Sequence, residues 1–170
     1  MGLSERIPPL SRLGLLALLG SGALLGGAYY FQYVVGLAPC ELCLLQRWPH
    51  MVAVAAGLIA LASFAWPRLA LVLLMTAITA LIVGAAIAAF HVGVEYHWWT
   101  GPMACSGNVP LGLSPEQLKR YLFGAKMVRC DQPAWELWGI SMAGWNAILS
   151  AALAFVLASG VAGWVRSSRP

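Results

Sequence analysis

Two cysteines and an arginine lie close together in the segment LAPCELCLLQRWPH, residues 37–50. Cys40 and Cys43 form a Cys-x-x-Cys pair, which can cycle between a dithiol and a disulfide. Closing so small a ring restrains little of the unfolded chain, so this pair contributes little stability and exchanges readily. Cys40, Cys43 and Arg47 stand at positions i, i+3 and i+7, which places them on one helical face. The spacing predicts a redox-active dithiol with a cation beside it.

Pro39 predicts where the helix that carries these residues begins. A residue before proline favours extended backbone, so we expect the helix to start near Cys40 or Glu41. Cys43 then lies in the first turn, where free backbone N–H groups and the helix dipole favour a thiolate. Arg47 would hold a negative or polarised group beside that thiolate. The alternative is an arginine that extends to the lipid headgroups.

The composition predicts that most of the chain lies in lipid. Of the 170 residues, 61% are hydrophobic and 9% are charged, whereas a soluble domain carries roughly 25% charged residues. Four charge-free windows are each long enough for the roughly 20 residues that a helix needs to cross a bilayer. We therefore predict an all-α membrane protein, a four-transmembrane-helix bundle in a single domain over residues 1–170. The predicted spans are approximately residues 13–35, 44–65, 69–90 and 140–164.

Arginine and lysine in short loops predict the orientation of the spans. An even number of spans puts both termini and the 66–69 turn on one side, where five arginines face the single acid Glu5. On the other side, in loops at approximately 36–43 and 91–139, acids such as Glu95 balance the basic residues. The unbalanced cations mark the cytoplasmic side, so the net charge of +4 reflects topology and does not indicate nucleic-acid binding. A cleaved signal peptide is the alternative for the first 28 residues, but the apolar stretch continues to Val35.

All four cysteines fall in the loops of the extracytoplasmic side: Cys40, Cys43, Cys105 and Cys130. An even count in an oxidising compartment suggests two disulfides. Three pairings are possible in principle, and the obvious local pair Cys40–Cys43 would leave Cys105–Cys130 as the second. For Cys105–Cys130, a purely structural role is an open alternative. A four-thiolate zinc site usually uses two Cys-x-x-Cys pairs, and a c-type haem needs histidine where Leu44 stands. We therefore predict no metal site.

The segment LSPEQLKRYLFG, residues 113–124, predicts a short helix within the long loop. Ser114 is a suitable N-cap, and Gln117 completes a capping box with it. An apolar face beside basic residues is typical of a helix that lies on the bilayer surface. The residues of that face are Leu118, Tyr121 and Leu122.

Oxidation of a dithiol releases two electrons, and the chain must pass them on. We find no glycine-rich nucleotide motif and no haem motif, so a quinone, a two-electron carrier that lives in the membrane, is the predicted acceptor. Cys43 would meet the quinone, and Arg47 would stabilise the anionic form produced on reduction. His91 and His97, near the outer end of the third span, are further candidates for contact with the quinone or for proton transfer.

The run PCELCLLQR, residues 39–47, resembles the signature of the DsbB family of bacterial disulfide-forming membrane proteins. The second cysteine pair in the following loop and the four spans also match. The resemblance implies a multi-pass protein of the bacterial inner membrane, with both termini cytoplasmic and the cysteine loops periplasmic. It implies that a DsbA-like periplasmic thiol oxidase is reoxidised at Cys105–Cys130, with Cys105 receiving the attacking thiol. Electrons would then pass to Cys40–Cys43, and from Cys43 to ubiquinone or menaquinone beside Arg47.

The segment HVGVEYHWWTGPMACSGN, residues 91–108, departs from the family pattern and suggests a divergent branch, which would suit a dedicated partner. Two other classes of protein match parts of the chain. A vitamin K epoxide reductase-like oxidase also couples Cys-x-x-Cys to a quinone, but that family carries the motif late in the chain. The other class is a non-catalytic membrane assembly factor with structural disulfides. In such a protein, substitution of Cys40 would reduce stability but would cause no loss of quinone reduction.

Overall fold

The computed structural model describes residues 9–102, 114–117, 119 and 128–168. Within these ranges the elements are α1 (Pro9–Tyr33), α2 (Glu41–Leu45), α3 (Arg47–Ala62), α4 (Pro67–Glu95), β1 (Glu136–Leu137), β2 (Ile140–Ser141) and α5 (Met142–Ser167). Among the described residues, four helical stretches are long and apolar enough to cross a membrane: α1, α2 with α3, α4, and α5. The predicted all-α architecture with four spans is therefore confirmed. The helix ends differ from the predicted bounds of the spans. The difference that affects the site is in α4, which continues to Glu95, whereas the third span was predicted to end near residue 90.

The second span is interrupted at Gln46, between α2 and α3. Pro49 explains the break, because it lacks an N–H and its ring would collide with the carbonyl of Leu45 in a continuous helix. The first turn of α3 tolerates Pro49, since the N–H groups there have no partner within the helix. Cys40 is the N-cap of α2, and its sulfur accepts a hydrogen bond from the backbone N–H of Cys43 at 3.2 Å. The predicted start of the helix at Cys40 or Glu41 is thus confirmed.

Glycines allow α1 and α3 to pack backbone against backbone. A Cβ atom on Gly14 would lie 2.7 Å from the amide nitrogen of Leu61, and one on Gly57 would lie 2.7 Å from that of Leu18. Real Cβ atoms do not approach other atoms this closely, so the contact depends on the missing side chains. The rest of the bundle closes around α4, where Leu74 and Leu81 are fully buried.

A hairpin and a cap fix the start of α5 at the cysteine-bearing end of the bundle. Strand β1 pairs antiparallel with β2, and the turn between them uses Trp138 at φ 54° and Gly139 at φ 75°. Positive φ at both central residues is the requirement of a tight hairpin turn. Ser141 then caps α5 by accepting a hydrogen bond from the backbone N–H of Gly144 at 3.1 Å.

The predicted capping box in the long loop is present. The backbone N–H of Gln117 donates to Ser114 Oγ at 3.3 Å, and the N–H of Ser114 donates to Gln117 Oε1 at 2.9 Å. Residues 115–117 and 119 are helical. The predicted apolar face (Leu118, Tyr121 and Leu122) lies outside the described residues, as does Cys105.

Candidate functional site

The sulfur atoms of Cys40 and Cys43 lie 2.6 Å apart, and both cysteines are free. Cys40 is buried, whereas Cys43 is half-buried and faces a cavity. The pKa of the Cys40 thiol is raised well above its ordinary value, first because of its hydrogen bond with the Cys43 sulfur and then because burial disfavours the charged form. When this dithiol loses one proton, the negative charge therefore rests on Cys43, and Cys40 stays protonated.

Cys130 brings the second loop to the first. It is fully buried and disulfide-bonded, and its sulfur, the sulfur of Cys40 and a ring nitrogen of His91 all lie within 4.8 Å of one another. Three such residues also resemble a metal-binding group, but a disulfide sulfur has no thiolate charge to offer a metal ion. The proximity instead suits sulfur-to-sulfur exchange between the two loops.

Arg47 points into the bundle. Its side chain is buried, with 8% of the residue surface exposed. The guanidinium donates from Nη1 to Gln32 Oε1 at 2.6 Å and lies over the ring of Tyr29, 4.8 Å from its centroid. Its Nε atom is buried without a hydrogen-bond partner. This burial and these contacts favour a role inside the bundle over that of a headgroup anchor.

A cavity of about 230 Å³ joins these groups. Cys40, Cys43 and Arg47 line it together with apolar side chains of α1 and α5, among them Leu24 and Leu149. Its wall is thus apolar, with a few converging polar groups, as is usual for a small-molecule site.

The two predicted histidines lie in different places. His91 is buried in α4 and lines the cavity, with its Nε2 atom 3.6 Å from the sulfur of Cys40. His97 lies beyond the end of α4, exposed, in a turn with φ 59°. The structure brings His91 to the cysteines and does not bring His97 to the cavity wall.

A chain of side-chain hydrogen bonds runs from His91 into the membrane-spanning part of the bundle. Gln46 Nε2 bonds His91 Nδ1 at 2.8 Å, and Asn146 Nδ2 donates to Gln46 Oε1 at 2.6 Å. Asn146 Oδ1 in turn bonds His50 Nε2 at 2.9 Å. Gln46, Asn146 and His50 were missed in the sequence. The signal that could have identified them is that polar side chains inside an apolar span are rare and tend to be functional.

Glu95 is a further acid beside the cysteines. It is buried, its Oε1 atom lies 3.9 Å from His91 Nε2, and its other oxygen accepts a hydrogen bond from Ser141. The sequence indicated only a loop charge at this position, because the third span was expected to end near residue 90. Its place on the last turn of α4 makes it a neighbour of the reactive sulfur atoms.

Comparison with known proteins identifies the family. The family model "Disulfide bond formation protein DsbB" matches residues 11–160. Disulfide bond formation protein B 1 of Pseudomonas fluorescens is 31% identical over 92% of this chain and 87% of its own length. Disulfide bond formation protein B of Marinobacter nauticus is 32% identical over 79% of this chain and 81% of its own length. An uncharacterised protein of Rickettsia prowazekii, RP370, is 27% identical over 78% and 77%. No solved structure matches the chain significantly. The chain belongs to the DsbB family of disulfide bond formation proteins.

Proposed function

We propose that this membrane protein oxidises a DsbA-like dithiol protein in the periplasm and passes the two electrons to a membrane quinone, either ubiquinone or menaquinone. Membership of the family supports disulfide bond formation; the electron donor and acceptor belong to the proposal. The observation that carries it is the approach of Cys130 to Cys40, whose sulfur atoms lie within 4.8 Å of each other. Two cysteine pairs from different loops can exchange only if their sulfur atoms meet in this way.

The exchange begins at the Cys105–Cys130 disulfide in this proposal. A partner thiolate attacks Cys105, forming a mixed disulfide and releasing Cys130 as a thiolate. Cys130 then attacks Cys40 of the Cys40–Cys43 disulfide; one S–S bond forms, one breaks, and Cys43 leaves as the thiolate. The hydrogen-bonded, first-turn position of Cys43 makes it a good leaving group.

The remaining thiols restore the first disulfide. The second thiol of the partner attacks the mixed disulfide, which frees the oxidised partner and the thiolate of Cys105. Cys105 attacks Cys130 of the Cys130–Cys40 bond and leaves Cys40 and Cys43 as a dithiol. His91, with a ring nitrogen 3.6 Å from Cys40, is placed to give Cys40 its proton, and Glu95 is near enough to His91 to supply it in turn.

The cavity fits a quinone by the chemistry of its walls. The apolar walls suit a lipid-soluble ring, and the unpartnered Nε of Arg47 offers a buried hydrogen-bond donor. Cys43 and Arg47 would hold the ring between them. A bound quinone would supply the oxidising power, taking up the two electrons and two protons that the dithiol releases as the Cys40–Cys43 disulfide forms. Arg47 meanwhile stabilises negative charge at this end of the cavity.

The same proposal places the cysteine-bearing end of the bundle in the periplasm of a bacterial inner membrane, with both termini cytoplasmic. The excess of arginine at the opposite end supports this orientation. Disulfides also persist on the oxidising side of the membrane and are rare on the cytosolic side.

The test is an assay of thiol oxidation with purified protein in detergent. Reduced DsbA-like protein and a short-chain ubiquinone are added, and quinone absorbance and free thiols are followed together. We expect two thiols lost for each quinone reduced, no turnover with Cys40→Ser, and normal turnover with Thr76→Ala, an exposed position on α4. Thiol-independent quinone loss, or full turnover by Cys40→Ser, would refute the proposal. An assembly factor with structural disulfides would reduce no quinone at all.

A further inference from the structure

Two buried nitrogen atoms in residues of the cavity wall have no hydrogen-bond partner: Arg47 Nε and His50 Nδ1. Among the described side chains, the only other buried polar atoms in this state are the hydroxyls of Ser11 and Ser21, which do not line the cavity. Buried polar groups are nearly always paired, so each exception needs an explanation. Two exceptions at one cavity indicate a ligand with polar atoms.

Arg47 and His50 stand one turn apart on α3, at positions i and i+3. Side chains so spaced have Cβ atoms about 5–6 Å apart and project from the same helical face. This spacing suits a small ring that carries one polar atom at each of two opposite edges. Quinones and hydroquinones of the para type have this arrangement, and hydroquinones differ in carrying O–H donors where quinones carry only acceptors.

The hydrogen-bond chain determines which kind of partner His50 accepts. Asn146 uses its Nδ2 group to donate to Gln46, which leaves only its Oδ1 atom for His50. That oxygen is an acceptor, so the hydrogen of a neutral His50 ring sits on Nε2. The other neighbour of Nε2 is Ser150 Oγ, at 3.5 Å, and it gives its hydrogen to the same Asn146 oxygen. The Nδ1 atom is then a bare acceptor, which can bond an O–H group and cannot bond a carbonyl oxygen.

We propose that His50 Nδ1 accepts a hydrogen bond from one hydroxyl of a membrane hydroquinone in this cavity, so that the reduced carrier binds more tightly than the quinone. The inference rests on the proposed function, since it takes the acceptor to be a quinone. Asn146 is a positioning residue in this scheme, because it sets which nitrogen of His50 carries the hydrogen. Tighter binding of the reduced form makes electron transfer out of the dithiol more favourable.

Two substitutions of His50 separate the roles of its two nitrogen atoms. In His50→Gln the amide reaches the position of Nε2, so the bond with Asn146 survives and the acceptor at Nδ1 is lost. In His50→Asn the shorter amide lies near the position of Nδ1, so an acceptor remains and the bond with Asn146 is lost. Ser150→Ala is the matched control, since Ser150 donates to Asn146 at 3.1 Å and lies 3.5 Å from His50 Nε2 but does not line the cavity.

The measurement is equilibrium binding of a short-chain ubiquinone and of its hydroquinone to the fully oxidised protein in oxygen-free buffer. Quenching of tryptophan fluorescence reports binding, because Trp135 and Trp145 line the cavity. We expect His50→Gln to weaken hydroquinone binding about five- to tenfold, the worth of one ordinary hydrogen bond, and to change quinone binding less than about twofold. His50→Asn and Ser150→Ala should stay within about threefold of the wild type for both ligands.

Equal weakening of both ligands by His50→Gln, or no weakening of either, would overturn the inference. Asn146→Leu provides a second route if His50→Gln does not fold: it frees the His50 hydrogen to occupy either nitrogen, so the preference for hydroquinone should shrink. Retention of the full preference in Asn146→Leu would contradict the scheme. This inference can fail while the proposed function stands. Wild-type protein that reduces quinone in the thiol assay but binds quinone and hydroquinone equally would refute only the role of His50.

Discussion

Cys40 sits at the N-cap of α2 and is buried, whereas Cys43, in the first turn, is only half-buried, and both line the cavity. The same short motif therefore produces two thiols with different environments. The sulfur of Cys40 lies beside His91 and Cys130, a neighbourhood that no contact gives to the less buried Cys43 among the described residues. This asymmetry suits a dithiol that exchanges with a protein disulfide at one sulfur and gives up electrons at the other.

The reduced protein should react with iodoacetamide at Cys43 before Cys40. The thiolate is the reactive form, and each unit by which a thiol pKa rises lowers its thiolate fraction about tenfold in the range below that pKa. Because the pKa of Cys40 is raised, we expect Cys43 to be alkylated at least about tenfold faster at pH 8. Fragment-ion mass spectrometry locates the label on one sulfur or the other. Faster labelling of Cys40 would contradict the assignment of the negative charge to Cys43.

Arg47→Ala should raise the apparent KM for quinone about tenfold or more, since a hydrogen bond to a charged group is worth roughly 1.5–3 kcal/mol. Arg47→Lys should recover only part of the loss, because a lysine cannot reproduce the planar guanidinium donors. The measurement is initial rate against quinone concentration, with thermal unfolding of each variant as the control for folding. Unchanged quinone kinetics in Arg47→Ala would leave Arg47 with only its contacts to Gln32 and Tyr29.

The helices of the bundle differ in what holds them together. Contact between α1 and α3 depends on glycine, where backbone atoms replace side chains at the interface. The break at Gln46 has a different effect, because it turns the short helix α2 into a separate element that carries the dithiol. The dithiol thus lies on α2, while Arg47 and His50, in the first turn of α3, line the same cavity.

Gly57→Ala should destabilise the bundle by about 1–3 kcal/mol, the usual cost of adding a group to a closely packed contact. Its Cβ would lie 2.7 Å from the backbone nitrogen of Leu18, and backbone atoms cannot move aside as a flexible side chain can. Gly22→Ala is the matched control, since nothing lies within 4 Å of a Cβ there. That variant should be neutral or stabilised by up to about 1 kcal/mol. The comparison is of thermal unfolding in detergent, and equal behaviour of the two variants would count against the close packing of α1 on α3.

The helices themselves could be predicted from the sequence because their causes are local. Charge-free windows predicted four spans, Pro39 predicted the start of α2, and the Ser114–Gln117 capping box was evident in the residue spacing. The end of α4 was predicted too early. A lone acid such as Glu95 indicates a loop when nothing nearby in the sequence can pair with it, and its partner Ser141 is far away in the sequence. Local patterns do not reveal such distant partners.

At the scale of the whole molecule, the two ends of the bundle should face different compartments. An alkaline phosphatase fusion after Arg68 should be inactive and one near Gly107 active, because that enzyme needs the oxidising periplasm to fold, and cations in short loops set the orientation. Expression levels of the two fusions provide the control. The reverse pattern would mean that every cysteine faces the reducing cytosol, and it would refute the proposed function.

The site draws its residues from several helices, which limits what the sequence could predict of it. Cys40, Cys43 and Arg47 form a recognisable motif because they share one short segment. His50, Asn146 and Gln46 become partners only through the rotation and depth at which α3 and α5 pack, and hydropathy specifies neither. For the same reason the sequence offered His91 and His97 as equals, while the packing of α4 brings only His91 to the cysteines.

The hydrogen-bond chain through Asn146 also bears on how the protein is made. A ribosome delivers α3 to the membrane long before α5, and until α5 arrives the side chains of Gln46 and His50 lie in an apolar phase without their partner. Such unsatisfied groups are costly in lipid. Helix α5 therefore completes the polar interior of the spans that precede it. A nascent chain that stalls before residue 142 presents the insertion machinery and membrane proteases with unpaired polar groups, which distinguish it from a finished molecule.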